Sequence, residues 1–229
     1  MVLSAVIFDW GGTLTPWHAI DHDELWLSVC ARHYPAADVA AIAAAARAAE
    51  AELWRLAESA QQSSTLDTVF ARAGVTASAD FLDSYFEAWD PHTFTDPDAR
   101  PLLLELRRRG IKVGVLSNTM WPRHAHEQIF IRDGIFDLID GAVYTSEIPW
   151  TKPHPEAFGA AMRAVGVTDP AECVFVGDRP YDDVHGAKSA GMRAVLVPNS
   201  AVPGFSGTEP DAVISRLADL LGHVDRWSA

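Results

Sequence analysis

Four short apolar runs punctuate the chain, and each gives way at its carboxyl end to a polar residue or a turn. Ala5–Phe8 meets Asp9 and then Gly11-Gly12. Ile111–Leu116 meets Ser117-Asn118, Cys173–Val176 meets Gly177-Asp178, and Met192–Val197 meets Pro198-Asn199. Runs of this length without alternation predict strands buried on both faces, as in a parallel sheet. Ala142–Tyr144, ahead of Thr145-Ser146-Glu147, is a weaker fifth strand. Between the runs the apolar period becomes helical over Asp98–Arg109, Pro155–Val165 and Asp182–Ala190, each closed by a glycine. Glycine just past a helix end and proline at its first turn are the expected stops and starts. Strands alternating with helices predict an α/β fold, a doubly wound parallel sheet. Its ligand crevice lies beyond the carboxyl ends of the strands, where Asp9, Ser117, Asn118 and Asp178 are expected to converge.

Residues 16–95 break the alternation. Helix-period apolar residues cover Asp23–Arg32, Ala36–Ser59, Thr65–Ala73 and Ala79–Trp89, with no convincing strand. The Ala-rich stretch alone would be about 36 Å long at roughly 1.5 Å per residue. Leu53, Trp54 and Leu56 give it an apolar end, which predicts a four-helix bundle inserted after the first strand. The expected organisation is an α/β core from residues 1–15 and 96–229, with a helical domain of residues 16–95 between them.

Composition narrows the partners. In 229 residues, 48% are hydrophobic and 21% charged, enough to bury a full core. The net charge is -13, from 18 basic against 31 acidic residues, and no basic run exceeds Arg107-Arg108-Arg109, which precedes Gly110 and suits the negative end of a helix. Phosphate backbones need a concentrated positive patch, so nucleic acid is excluded as a partner. Cys30 and Cys173 are far apart and lie among core-like residues, so neither a disulfide framework nor a metal-binding C-x-x-C is expected. The apolar residues before Asp9 are too few to cross a bilayer and carry no basic segment, and no later stretch is long enough either. A soluble, cytoplasmic protein without a membrane partner is the expectation.

The polar residues beyond the strands suggest a chemistry. Asp9 beside Asp178 and Asp183 would place three negative charges in one crevice, a costly arrangement unless a hard divalent cation sits among them. Mg2+, with oxygen ligands and several waters, is the natural occupant. Lys152 and the Ser117 hydroxyl would hold an anionic substrate against that acidic wall.

Four segments in this order, Asp9-Trp10-Gly11-Gly12-Thr13, Ser117-Asn118-Thr119, Lys152-Pro153, and Gly177-Asp178 with Asp182–Ala187, resemble the motifs of the haloacid dehalogenase-like (HAD) hydrolases. The insertion after the first segment resembles that family's α-helical C1-type cap. The resemblance implies a Rossmann-like core and a magnesium-dependent phosphatase acting on a small phosphorylated metabolite. Asp9 would be the nucleophile that forms an aspartyl-phosphate. Asp9, Asp178 and the backbone carbonyl of Gly11 would bind the metal, with Asp183 acting through a water or behind it. Asp182 stands one position off the usual spacing. Thr13, Ser117 and the backbone of Asn118 would orient the phosphate, while Lys152 neutralises charge on the nucleophile and the transferring group. A hinged cap would open to admit substrate and close to exclude water.

One position departs from the phosphatase pattern. Two residues after the nucleophile the family's phosphatases carry an aspartate that protonates the leaving oxygen and then activates water; here stands Gly11. Such acid-base help is commonly worth about 10²- to 10⁴-fold. Asp21, His18 and His22 are nearby replacements in sequence, and substrates with good leaving groups would need none. Carbon-phosphorus cleavage in the family requires a Schiff-base lysine from the cap, whereas this chain has only Lys112, Lys152 and Lys188. Carbon-halogen cleavage belongs to metal-free relatives with neutral groups where Asp178 and Asp183 stand. A different class of reading is a HAD-like fold kept as a binding or regulatory module with weak turnover. Trp10, Trp17, Trp121 and Trp150 flank the expected site loops, either as a pocket wall or as packing between cap and core. Arg123, Arg132 and Arg179 lie near the same loops, where a solvated role is the plainer expectation and contact with a substrate anion the sharper one.

Overall fold

The computed structural model describes residues 3–199 and 202–228; Met1 and Val2, at the start of the apolar run before Asp9, lie outside the described residues. Six parallel strands form one sheet in the order β3-β2-β1-β4-β5-β6. They are β1 (Ala5–Phe8), β2 (Lys112–Ser117), β3 (Gly141–Tyr144), β4 (Cys173–Gly177), β5 (Arg193–Leu196) and β6 (Ala212–Val213). Every residue of β1 and β4 is buried, as two-sided burial in a parallel sheet requires. The sixth strand is not anticipated by the sequence pattern, because two residues carry no period. The Asp211 carboxylate docks it by accepting from the Ala194 N–H at 2.8 Å and from Lys188 Nζ.

Helices cover both faces of the sheet, with one apolar cluster containing Val6, Phe8 and Val176 and the other Ile7, Phe158 and Phe175. After β2 comes α6 (Arg123–Arg132), and after β3 comes α7 (Pro155–Ala164). The segment after β4 begins as one π-helical turn, Pro180–His185, before α8 (Gly186–Ser189), and α9 (Leu220–Ser228) closes the chain. The expected single helix over Asp182–Ala190 is therefore corrected in its first half. Neither α6 nor α9 is read from the sequence. In α6 the buried face is Ala125, His126, Ile129 and Phe130, so a histidine in the apolar stripe hides the period.

Between β1 and α5 (Ala99–Arg108) lie α1 (His22–His33), α2 (Ala36–Ala60), α3 (Leu66–Ala73) and α4 (Ala79–Trp89). Asp21, Thr65 and Ser78 cap α1, α3 and α4 through side-chain oxygens that accept the Glu24, Thr68 and Phe81 N–H groups. On α2 the buried stripe is Ala43, Ala46, Ala49, Glu50, Leu53 and Ala57, small residues that let α1 and α3 approach closely. The Trp26 indole fills the centre, 5.1 Å from the Tyr85 ring and 6.2 Å from Phe70.

This helical insertion is joined to the sheet layers by more than its two chain connections. Residues 61–66 run alongside 148–151, with Ser63 N–H donating to the Pro149 carbonyl at 3.1 Å and Thr151 N–H to the Gln61 carbonyl at 3.0 Å. Leu66 N–H donates to the Met120 carbonyl at 2.7 Å, and Trp121 Nε1 donates to the Tyr85 hydroxyl at 3.2 Å. Among the described residues, no helix is long and apolar enough to cross a membrane.

Candidate active site

The strand order reverses at the neighbours β1 and β4, and the crevice beyond their carboxyl ends is where ligands bind in such sheets. Asp9 is the first residue past β1 and Asp178 the first past β4; the Asp9 N–H donates to the Val176 carbonyl at 2.8 Å, which fixes their relative height. Asp183 enters from the π-helical turn. One oxygen of each carboxylate lies within 4.8 Å of the others, and all three residues are buried. Two glycines make room for them. A Cβ on Gly12, where φ is +87°, would stand 2.3 Å from Asp178 Oδ2, and one on Gly177 would stand 2.3 Å from the Asp183 carboxyl carbon.

Lys152 joins this cluster from the loop before α7. Its Nζ donates to Asp9 Oδ1 at 2.6 Å and to Asp183 Oδ1 at 2.7 Å, and the residue is only 2% exposed. The Asn118 side chain sets its position: Oδ1 accepts the Lys152 N–H at 2.8 Å and Nδ2 donates to the Lys152 carbonyl at 3.1 Å. Asp183 Oδ2 also accepts the Arg179 N–H at 2.9 Å. Asp178 Oδ2 accepts from Asn199 at 2.8 Å, whereas its Oδ1 is buried without a hydrogen-bond partner.

The charges are not balanced. Burial is the main cause that pushes the Asp9 carboxyl above its ordinary value, with Lys152 opposing and Asp183 reinforcing the rise. Burial, then the Asp9 and Asp183 carboxylates, push Asp178 up to about 7. Burial and the neighbouring Asp183 push Asp182 up to about 6. Burial opposes the charge on Lys152, but Asp183 and Asp9 beside it outweigh that and hold its ammonium above the usual lysine value. An excess of buried carboxylate around one unpartnered oxygen is a donor set suited to a hard divalent cation.

A cavity of about 430 Å³ opens from Asp9, Ser117 and Lys152 into the helical insertion. Its walls are largely aromatic, with Trp10, Trp17, Trp54, Trp89, Trp121 and Tyr85, and His22, Arg47 and Glu50 add polar groups to the lining.

Residues 3–191 match the haloacid dehalogenase-like hydrolase family. The chain belongs to that family. A phosphatase of Mycobacterium tuberculosis is 40% identical over 124 residues, which cover 54% of this chain and 53% of that protein. This chain spans about half the length of the curated relatives it matches. Among solved structures, a HAD phosphatase from Thermococcus onnurineus superposes with a TM-score of 0.69 at 22% identity, over 96% of this chain and 97% of that one. An L-2-haloacid dehalogenase from Xanthobacter autotrophicus gives 0.67 at 23% identity, over 98% and 99%. Phosphatase and dehalogenase share this fold equally, so the reaction must be read from the site.

In this HAD-like chain the structure brings Asp9, Asp178, Asp183 and Lys152 together, with Ser117 and Asn118 on the cavity wall above them. Thr13 is buried beneath, outside the cavity lining, with its hydroxyl unpartnered. The Asn118 amide group is spent on Lys152, a duty the motif alone does not reveal. The adjoining Thr119 hydroxyl meets His126 Nε2 at 3.0 Å, and its N–H donates to the Thr145 hydroxyl at 2.9 Å. Burial, with Arg123 adding, pulls His126 down to about 3, so it braces the loop as a neutral ring stacked on Tyr144. Gly11 is exposed, and nothing lies within 4 Å of where its Cβ would be.

Of the three residues near Gly11 in sequence, Asp21 is committed to capping α1, and exposed His18 lies against the His92 ring at 5.7 Å. His22 lines the cavity. Trp10, Trp17 and Trp121 are cavity walls, whereas Trp150 stacks on His154 at 4.1 Å away from that lining. Arg123 pairs with Glu147 at 2.6 Å and Arg132 with Asp133 at 2.7 Å; Arg179 alone of the three lines the cavity, 3.6 Å from Asp182. Sequence reasoning missed Glu50. Its signal was available, a lone carboxylate on the apolar stripe of α2, four residues after Ala46 and three before Leu53.

Proposed function

We propose that this HAD-like chain is a magnesium-dependent phosphatase acting on a small phosphorylated metabolite, with residues 16–95 as a cap over a core of 1–15 and 96–229. The observation that carries the reading is the Lys152 ammonium bridging Asp9 and Asp183 beside the unpartnered Asp178 oxygen. Asp9, Asp178 and the Gly11 carbonyl would hold Mg2+, with Asp183 behind them. When bound, the ion supplies positive charge that offsets the carboxylates and draws in phosphate oxygens. The phosphatase name of the Mycobacterium tuberculosis relative agrees with this reading.

The chain's own residues account for the rest of the reaction. Lys152 orients the Asp9 carboxylate and lowers its repulsion toward an incoming anion. An Asp9 oxygen bonds to phosphorus as the ester P–O bond breaks and the alcohol leaves. Water then attacks the same phosphorus, inorganic phosphate departs and the carboxylate is restored. Ser117 and the Asn118 backbone orient the phosphate, and the aromatic walls keep bulk water from the intermediate. A cavity of about 430 Å³ suits a small metabolite. Two free, buried cysteines agree with a reducing, cytoplasmic setting.

The test is incubation with Mg2+ and acetyl phosphate or p-nitrophenyl phosphate. Turnover is expected, with a phospho-enzyme that can be trapped in the wild type and is absent from Asp9→Asn. Lack of both turnover and phospho-enzyme at saturating Mg2+ overturns the reading.

A further inference from the structure

An alkoxide is a strong base, so its departure from phosphorus is fast only if a proton reaches the oxygen as the bond breaks. Gly11 carries no side chain to deliver one. Among the described residues that line the cavity, Asp182, Tyr85, Glu50, Glu58 and His22 remain as proton carriers, with Glu58 exposed on the last turn of α2. Asp182 is drawn toward Arg179, and Tyr85 lies wholly buried with its hydroxyl engaged by Trp121.

His22 has the geometry of an acid-base group. Its Nδ1 is buried 3.4 Å from Glu50 Oε2, close enough to form an ion pair but without a hydrogen bond; a third of the side chain is exposed, and the residue lines the same cavity as Asp9. Trp89 packs edge-on against the imidazole at 5.5 Å and fixes its plane from α4. Glu50 is itself anchored from α1 and α2: Trp26 Nε1 donates to Oε2 at 3.1 Å, and Arg47 NH1 lies 3.8 Å away, shared with exposed Asp23. With the Glu50 carboxylate on the Nδ1 side, Nε2 is the ring nitrogen left for a substrate.

We propose that His22, positioned by Glu50, is the acid-base group of this site and replaces the side chain absent at Gly11; the proposal rests on the phosphoryl-transfer reading above. In the first half-reaction the Nε2 proton passes to the leaving oxygen as its bond to phosphorus breaks and the Asp9 oxygen bonds to phosphorus. In the second, the neutral imidazole takes a proton from the water whose oxygen bonds to phosphorus as the Asp9–phosphorus linkage breaks. The protonated ring is thereby restored.

The experiment compares kcat/KM for propyl phosphate and p-nitrophenyl phosphate in Mg2+, since kcat/KM covers only the steps through departure of the alcohol. A nitrophenolate leaves readily without a proton and a propoxide does not. His22→Ala should lower the propyl-to-nitrophenyl ratio by about 10²-fold or more. Glu50→Gln should move it the same way by less, and adding Gly11→Asp to His22→Ala should restore it. His22→Asn serves where alanine prevents folding, with thermal melting as the check. An unchanged ratio in the His22 variants, or a ratio that falls with Asp182→Asn instead, overturns the assignment while leaving the phosphatase reading intact. Absence of wild-type turnover on both esters and on acetyl phosphate overturns the two together.

Discussion

Lys152 is the residue on which the buried charges depend. Its ammonium is the common partner of Asp9 and Asp183, so Lys152→Met would leave two carboxylates facing each other without a counter-charge. Breaking a buried pair in this way costs about 3–5 kcal/mol, to be read from urea denaturation of the metal-free protein, and turnover should fall below detection. Asp178 gives the complementary expectation. Its folded value near 7 lies above the unfolded carboxylate value, so its contribution to stability is complete at low pH and lost as pH rises through about 7; Asp182, near 6, acts in the same direction. Thermal melts without divalent metal should therefore fall between about pH 4 and 7 and level off above that. Mg2+ should oppose that fall, and Asp178→Asn should reduce it.

At the scale of elements, the turn after β4 is built around an absence of side chain. Gly177→Ala would drive a Cβ into the buried Asp183 carboxyl group and should cost about 1–3 kcal/mol, whereas Gly11→Ala meets open space and should stay within about 0.5 kcal/mol. Denaturation midpoints of the two variants check the contrast. The strands that carry Asp9 and Asp178 were legible because burial on both faces leaves unbroken apolar runs, and the helices over Thr65–Ala73 and Ala79–Trp89 were visible from their apolar period. What escaped had a physical reason in each case. His126 interrupts the stripe of α6, and β6 is two residues long. Asn118 meets Lys152 across 34 residues of chain, so only the fold reveals what its amide does. Glu50 belongs to a helix whose alanines look uniform until burial singles out one face.

For the molecule as a whole, one apolar cluster runs from Phe8 and Leu14 beneath the site through Trp26 and Tyr85 of the insertion to Trp121 of the core. Two parts sharing so much packing should unfold together. Tryptophan fluorescence and far-UV circular dichroism should give coincident, single transitions in urea, and separated transitions would show that the helices fold on their own. The seam between residues 61–66 and 148–151 ends at Thr151, whose neighbour in the chain is Lys152. Any excursion of the helices wide enough to part Gln61 from Thr151 pulls on the peptide that carries the ammonium. Entry to the chamber and the reactivity of its floor are thus geared together, so that a gaping mouth comes with a slackened grip on Asp9.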